Sequence, residues 1–238
     1  MTKRGYVAVG VMVVVAVAVV LFLLLRSPSG IDVPTKRAEV IIALDAGHGG
    51  RDPGATAGDV LEKDINLAIV KKAQALIDAD PDLKAHLTRS VDVFLALEER
   101  VRLAQEANAA LYITVHANSF GDPQVHGIET WVDTTRKDGD PAYVFASMIQ
   151  DSLSAATGAR NRGIRTQESY LQRCGIPAVS LEVGYMTNPD ERARLLDPLY
   201  QDKVAAGILG GVKQFLAWQA AGAAAATGST ADTSPRKP

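Results

Sequence analysis

Three short apolar runs in this chain each end in a residue able to do chemistry, and helical patterns separate them. Val40-Ile41-Ile42-Ala43-Leu44 runs into Asp45-Ala46-Gly47-His48-Gly49-Gly50. Ile113-Thr114-Val115 runs into His116, and Val179-Ser180-Leu181 into Glu182. Apolar runs of four to eight residues bounded by turn signals read as buried strands. Between them, Glu62 to Ala79 carries Ile65, Ile69, Ala73, Leu76 and Ile77 at helical spacing, with Pro81 closing it. Leu95 to Ala107 repeats the pattern with Leu97, Val101 and Ala104 on one face. Further strands are expected at Ala85–Thr88 and Gly127–Val132, and helices at Pro141–Thr157, Glu191–Leu196 and Lys203–Trp218. Strands alternating with helices predict one α/β domain, with a mostly parallel twisted sheet covered by helices on both faces.

In such sheets, sites form outside the carboxyl ends of parallel strands. The three endings therefore converge on one rim, and Glu62, at the start of the first helix, can lie near it. Two imidazoles and one carboxylate suit a catalytic zinc ion, which takes three protein ligands and keeps a fourth position open. Each residue also has a plain reading. His48 or His116 alone is a hydrogen-bonded strand-end histidine, and Glu62 alone is a first-turn carboxylate favoured by the helix dipole. Glu182 is more informative, because a carboxylate between Leu181 and Val183 is costly unless paired or functional. No HExxH helix is present, so spacing alone does not fix a zinc site.

The N-terminus bears on compartment. Tyr6 to Leu25 holds 19 apolar residues in 20 and no charge. As a helix it spans about 30 Å, the thickness of a bilayer's hydrocarbon core. Lys3 and Arg4 precede it and favour a cytoplasmic N-terminus. Residues 1–26 thus read as a membrane anchor, with a cleaved signal segment as the alternative. Either one exports the domain to a periplasm or a wall-facing surface. Residues 27–36 form a linker, 37–219 the folded domain, and 220–238 an Ala-, Ser-, Thr- and Pro-containing tail expected to be disordered, with a short helical extension as an option. Outside the anchor the chain is about 43% apolar, ordinary for a globular domain. A net charge of −2 gives no basic surplus of the kind nucleic-acid binders show. The single cysteine, Cys174, excludes an internal disulfide and a cysteine-based zinc finger.

Segments in register along the chain resemble the zinc-dependent N-acetylmuramoyl-L-alanine amidases of bacterial cell walls. The resemblance opens with Ile42-Ala43-Leu44-Asp45-Ala46-Gly47-His48-Gly49-Gly50-Arg51-Asp52-Pro53-Gly54-Ala55. It continues through Leu61-Glu62-Lys63-Asp64, Leu87-Thr88-Arg89, Leu97-Glu98-Glu99-Arg100-Val101, Ile113-Thr114-Val115-His116-Ala117-Asn118 and Arg162-Gly163-Ile164. It ends with Ile176 to Asn188, and covers about residues 39–218. The resemblance implies a phosphorylase/hydrolase-like fold, Zn²⁺ on His48, Glu62 and His116, and Glu182 as the catalytic base. It implies hydrolysis of the amide between N-acetylmuramic acid and L-alanine in peptidoglycan. Some relatives insert a long helix that blocks the zinc; the stretch from Asp133 to Pro141 is short, so no activator is expected. The same site chemistry would also fit a peptidase or deacetylase of the wall, and a non-catalytic wall-binding module is a further rival.

Among the other residues, His86 is expected in solvent, and His126, just before the Gly127–Val132 strand, is within reach of the cleft. Glu129 is expected to orient a ligand histidine or to face solvent. Asn118 is a candidate contact for the substrate peptide. Arg89 and Arg100 are expected to form buried pairs or caps. Cys174 has no adjacent base to make it a nucleophile.

Overall fold

The computed structural model describes residues 39–228. The expected segments at 1–26, 27–36 and the end of the tail, including the membrane anchor, lie outside the described residues. Among those described, no helix is long and apolar enough to cross a membrane.

Six strands form one sheet: β1 (Val40–Ala46), β4 (Leu83–Leu87), β5 (Leu111–Asn118), β6 (Ile128–Asp133), β7 (Asn161–Gln167) and β8 (Ala178–Tyr185), in the order β4-β1-β5-β8-β6-β7. All neighbouring pairs are parallel except β6 with β8. The sheet is mostly parallel, as the alternation predicts, and β5 and β8 lie side by side at its centre. A small antiparallel pair, β2 (Thr56–Ala57) and β3 (Val60–Leu61), follows β1.

The helices are α1 (Glu62–Asp78), α2 (Leu97–Glu106), α3 (Pro141–Thr157), α4 (Pro189–Leu196) and α5 (Pro198–Gly228). Their ends follow local chemistry. Asp140 caps α3 by accepting from Ala142 N at 2.8 Å, Pro141 occupies the first turn, and Gly158 closes the helix at φ 68°. Asn188 caps α4 through Asp190 N and Glu191 N, both at 3.0 Å. On one face of the sheet, α1, α3 and α5 bury Ile65, Ile69, Phe145, Ile149, Ile208 and Phe215. Gly207 and Gly211 let α5 approach α3 closely: a Cβ at Gly211 would fall 2.6 Å from Ile149 Cα. The other face is covered more thinly. Val101 and Ala104 of α2 and Leu171 and Cys174 of a 3-10 turn (Tyr170–Cys174) pack there on Ala43, Tyr112 and Ala178.

Several expectations need adjustment. Leu97 starts α2 but is exposed, so only Val101 and Ala104 of the expected face are buried. α5 continues past Gln219, the expected end of the domain, to Gly228, so the first part of the expected disordered tail is helical. Alanine is the best helix former, and an alanine-rich extension propagates an existing helix at little cost.

Candidate active site

The rim predicted from the strand endings exists. β1 leads into a tight turn in which Gly49 N donates to Asp52 O at 2.9 Å and Asp52 N to Gly49 O at 3.2 Å. Within it His48 takes φ 61°, in the left-handed region that non-glycine residues rarely adopt. Such backbone strain concentrates at functional sites. The β2–β3 hairpin then folds the chain back, so that Glu62 N donates to Ala55 O at 3.0 Å and Lys63 N to Pro53 O at 3.1 Å. Glu62 thereby sits in the first turn of α1, directly beside the β1 turn.

Three predicted ligands meet there. Glu62 Oε1 lies 3.0 Å from His116 Nδ1 and 3.2 Å from His48 Nε2. It also accepts from Ala117 N and Asn66 Nδ2, both at 3.2 Å, and Glu62 Oε2 accepts from Ala55 N at 2.8 Å. One donor atom from each of His48, Glu62 and His116 falls within 4.8 Å of the others, close enough for one metal ion. Two glycines leave room for this convergence. A Cβ on Gly47 would fall 2.6 Å from His116 Nδ1, and one on Gly54 2.6 Å from His48 Cδ2. Burial pushes the Glu62 carboxyl up, but its hydrogen bonds to His116 and His48 and their charge hold it well below the ordinary carboxylate range. Burial pulls the His48 imidazole down, yet Glu62 and Asp52 outweigh that and raise it.

Glu182 pairs in register with His116 across β5 and β8, which puts both side chains on the same face. Both line one cavity of about 420 Å³, together with Thr114, Trp131, Ser180 and Tyr170. A second cavity of about 310 Å³ adjoins it across His116 and Tyr170 and reaches His48, Asp52 and Phe94. Glu182 is half-buried overall, but its Oε2 is sealed from solvent without a hydrogen-bond partner. Burial, then the charges of Glu62 and Glu129, push its carboxyl well above the usual range. A carboxylate with perturbed proton affinity in a cleft marks a functional candidate.

The other candidates separate from the site. His86 lies inside β4, half-buried with Nε2 unpartnered, rather than in solvent. His126 is exposed and its Nδ1 lies 2.9 Å from Gln124 O, away from both cavities. Glu129 neither orients a histidine nor faces solvent. It is buried, accepting from Arg162 Nε at 2.5 Å and Tyr185 Oη at 3.0 Å. The Asn118 side chain accepts from Ser119 N at 2.8 Å and so folds onto its own backbone. Arg89 and Arg100 are buried, as expected. Arg89 holds the carbonyls of Ala46, Gly47 and Lys63, and Arg100 holds Asp45 at 2.7 Å. Cys174 is buried, and burial lifts its thiol to about 12. Sequence reasoning did not single out Asp52, whose Oδ2 lies 2.8 Å from His48 Nδ1; its position four residues beyond a candidate ligand histidine was the available signal.

An α/β sheet that gathers imidazoles and carboxylates at its carboxyl rim, around open cavities, has the form of a hydrolase. Comparison with known proteins narrows this: residues 42–214 match the family model described as N-acetylmuramoyl-L-alanine amidase, and the chain belongs to that family. It is 35% identical over 175 residues to the N-acetylmuramoyl-L-alanine amidase LytC of Bacillus subtilis, covering 73% of this chain and 35% of LytC. It is 34% identical over 181 residues to the endolysin of Bacillus phage SPP1, covering 74% of this chain and 66% of the endolysin. The chain thus spans about a third of LytC and about two thirds of the endolysin. Among solved structures, the catalytic domain of CwlV from Paenibacillus polymyxa matches with a TM-score of 0.70 and 36% identity, over 75% of this chain and 98% of that one. The CwlD amidase of Clostridioides difficile, solved in complex with the GerS lipoprotein, matches with a TM-score of 0.68 and 30% identity, over 76% and 100%.

Proposed function

We propose that this chain is a zinc hydrolase of peptidoglycan that cleaves the amide between the lactyl group of N-acetylmuramic acid and the L-alanine of the stem peptide. The observation that carries the reading is one rim holding a two-imidazole, one-carboxylate donor set within 4.8 Å beside a carboxylate with an unpartnered oxygen. Two neutral nitrogens and one anionic oxygen fit zinc, and the glycines at 47 and 54 leave room for the two imidazoles to converge on Glu62. His48 would bind through Nε2, His116 through Nδ1 and Glu62 through its carboxylate. Bound zinc supplies a Lewis acid for the scissile carbonyl and lowers the pKa of water toward about 7.

Glu182 is the base in this reading. Its Oε2 takes a proton from the attacking water and returns it to the leaving nitrogen, so the products are a lactyl carboxylate and a free L-alanine amine. Glu62 is committed elsewhere, since both its oxygens accept hydrogen bonds.

The same proposal places the enzyme outside the cytoplasm, tethered through the apolar stretch Tyr6–Leu25, with peptidoglycan as its partner. The connection between β6 and α3 is only the short run 134–140, which supports activity without an activator.

The test is digestion of purified peptidoglycan by the full chain, with and without a chelator, with products identified by mass. Chelator-sensitive release of peptides with a free L-alanine amine is expected. Release of acetate, or cleavage within the stem peptide, would replace this reading with a deacetylase or a peptidase. Turnover only after another protein is added would refute activator independence.

A further inference from the structure

We infer that Asp52 is a positioning residue: it fixes the tautomer and orientation of His48 so that Nε2, and not Nδ1, faces the donor cluster. This rests on the metal-site reading above. Asp52 Oδ2 lies 2.8 Å from His48 Nδ1, while its Oδ1 accepts from Gly54 N at 3.1 Å. Both carboxylate oxygens are therefore aimed. The backbone of Asp52 is held as well, through its paired bonds with Gly49. The carboxylate is thus held by His48 and the Gly54 N–H, on a backbone anchored in the turn that carries His48.

The competition this resolves is visible in the distances. A neutral imidazole carries one proton. His48 Nε2 lies 3.2 Å from Glu62 Oε1, so a proton on Nε2 would be donated to Glu62 and the nitrogen would have no lone pair for a metal. Asp52 offers a shorter contact to Nδ1 and draws the proton there. The lone pair on Nε2 is then free and points toward Glu62 and His116. A carboxylate on the far nitrogen of a ligand histidine also raises its basicity, and loss of such a partner typically weakens metal binding about 10- to 100-fold.

His116 is set by a different device. Its Nδ1 lies 3.0 Å from Glu62, and its ring packs against Gly47, where a Cβ would fall 2.6 Å from Nδ1. Among the described residues, Glu62 is the one carboxylate within hydrogen-bond distance of its ring. His48 thus faces a carboxylate at each ring nitrogen and His116 at one, so of the two imidazoles removing Asp52 should act on His48.

The experiment compares wild type, Asp52→Ala, Asp52→Asn and His48→Ala in the full chain. Nitrogen-detected NMR of the metal-free protein, in mildly alkaline buffer, reads the tautomer of each imidazole. Zinc affinity is read by competition with a chromophoric chelator. In wild type, His48 should carry its proton on Nδ1. Asp52→Ala should move it toward Nε2, leave the His116 signals in place, and weaken zinc binding about 10- to 100-fold. Asp52→Asn keeps an acceptor oxygen without the charge. It should restore the tautomer and bind zinc with intermediate affinity, which also covers the case in which the alanine variant fails to fold. An unchanged His48 tautomer with wild-type affinity in Asp52→Ala would overturn the inference while leaving the metal site intact. Full zinc affinity in His48→Ala would instead overturn the ligand assignment.

Discussion

Asp45 and Glu182 are both acidic residues on strands of the same sheet, and their surroundings are opposite. Asp45 is completely buried and completely paired: Arg100 Nη1 donates to it at 2.7 Å, Thr114 Oγ1 at 2.7 Å, and Thr88 Oγ1 also donates. Burial pushes its carboxyl up, but Arg100 and the two hydroxyls hold it below the ordinary range. Among the described residues Glu182 has no such partners, and burial and neighbouring negative charge push it the other way. The paired carboxylate serves as scaffold. Through Arg100, which also donates to Ala46 O at 2.9 Å and His48 O at 2.8 Å, it fastens the β1 turn to α2. The unpaired carboxylate is a cost the fold carries at the cleft. Uncompensated groups of this kind are kept where activity needs them.

If that contrast is right, the two carboxylates should fail in different ways. The largest effect is expected for Glu182→Gln. Loss of a general base costs about 10²–10⁴-fold in turnover, while metal content and fold should stay unchanged. Assays on peptidoglycan together with zinc analysis check this, and a variant with wild-type turnover would remove Glu182 from the mechanism. Asp45→Asn should do the reverse. It strands the Arg100 guanidinium in the interior, and breaking one side of a buried pair costs about 3–5 kcal/mol of stability. Denaturant unfolding measures it, and a loss below about 1 kcal/mol would mean that the pair is not the scaffold described.

A smaller, pH-dependent effect follows from the same pair. The Asp45 carboxyl is lowered in the folded protein, against about 3.9 for an unfolded aspartate. Its contribution is therefore fully present above pH about 4 to 5 and is lost as pH falls through the folded value. The stability gap between wild type and Asp45→Asn should be constant at neutral pH and narrow on acidification. Thermal melts across the acid range test this, and a gap that widens in acid would contradict the direction assigned to Asp45.

The central architecture was legible because burial on both faces makes a strand a run of apolar residues. β1, β5 and β8 announce themselves this way, and each run leads to a candidate site residue, His48, His116 or Glu182. The β7 edge of the sheet was not legible. β7 reads Asn161-Arg162-Gly163-Ile164-Arg165-Thr166-Gln167 and is largely exposed, so nothing apolar marks it as a strand. His86 was misplaced for a related reason, since β4 is also an edge strand with a mixed pattern. Glu129 shows another limit. Its partners Arg162 and Tyr185 lie 33 and 56 residues away, and only the folded sheet brings them together. The candidate ligand set was visible as residue types, but spacing alone could not show that the β2–β3 hairpin returns Glu62 to the β1 turn.

The smallest effect is the sharpest test of the comparison, because it asks Glu182→Gln to improve the protein. An acid whose carboxyl is raised in the folded state binds its proton more tightly folded than unfolded. As pH rises above about 4.3, the unfolded glutamate ionises first, and folding then carries a cost that grows until the folded carboxyl also ionises. Glutamine has the same shape and no charge, so it escapes that cost. In chelator-treated protein at neutral pH, Glu182→Gln should therefore be more stable than wild type. The advantage should vanish below pH about 4, where both states of the wild type hold the proton. Paired melts at neutral and acid pH read the difference directly. A Glu182→Gln variant less stable than wild type at neutral pH would mean that Glu182 has a stabilising partner, as Asp45 does, and the contrast between the two carboxylates would collapse.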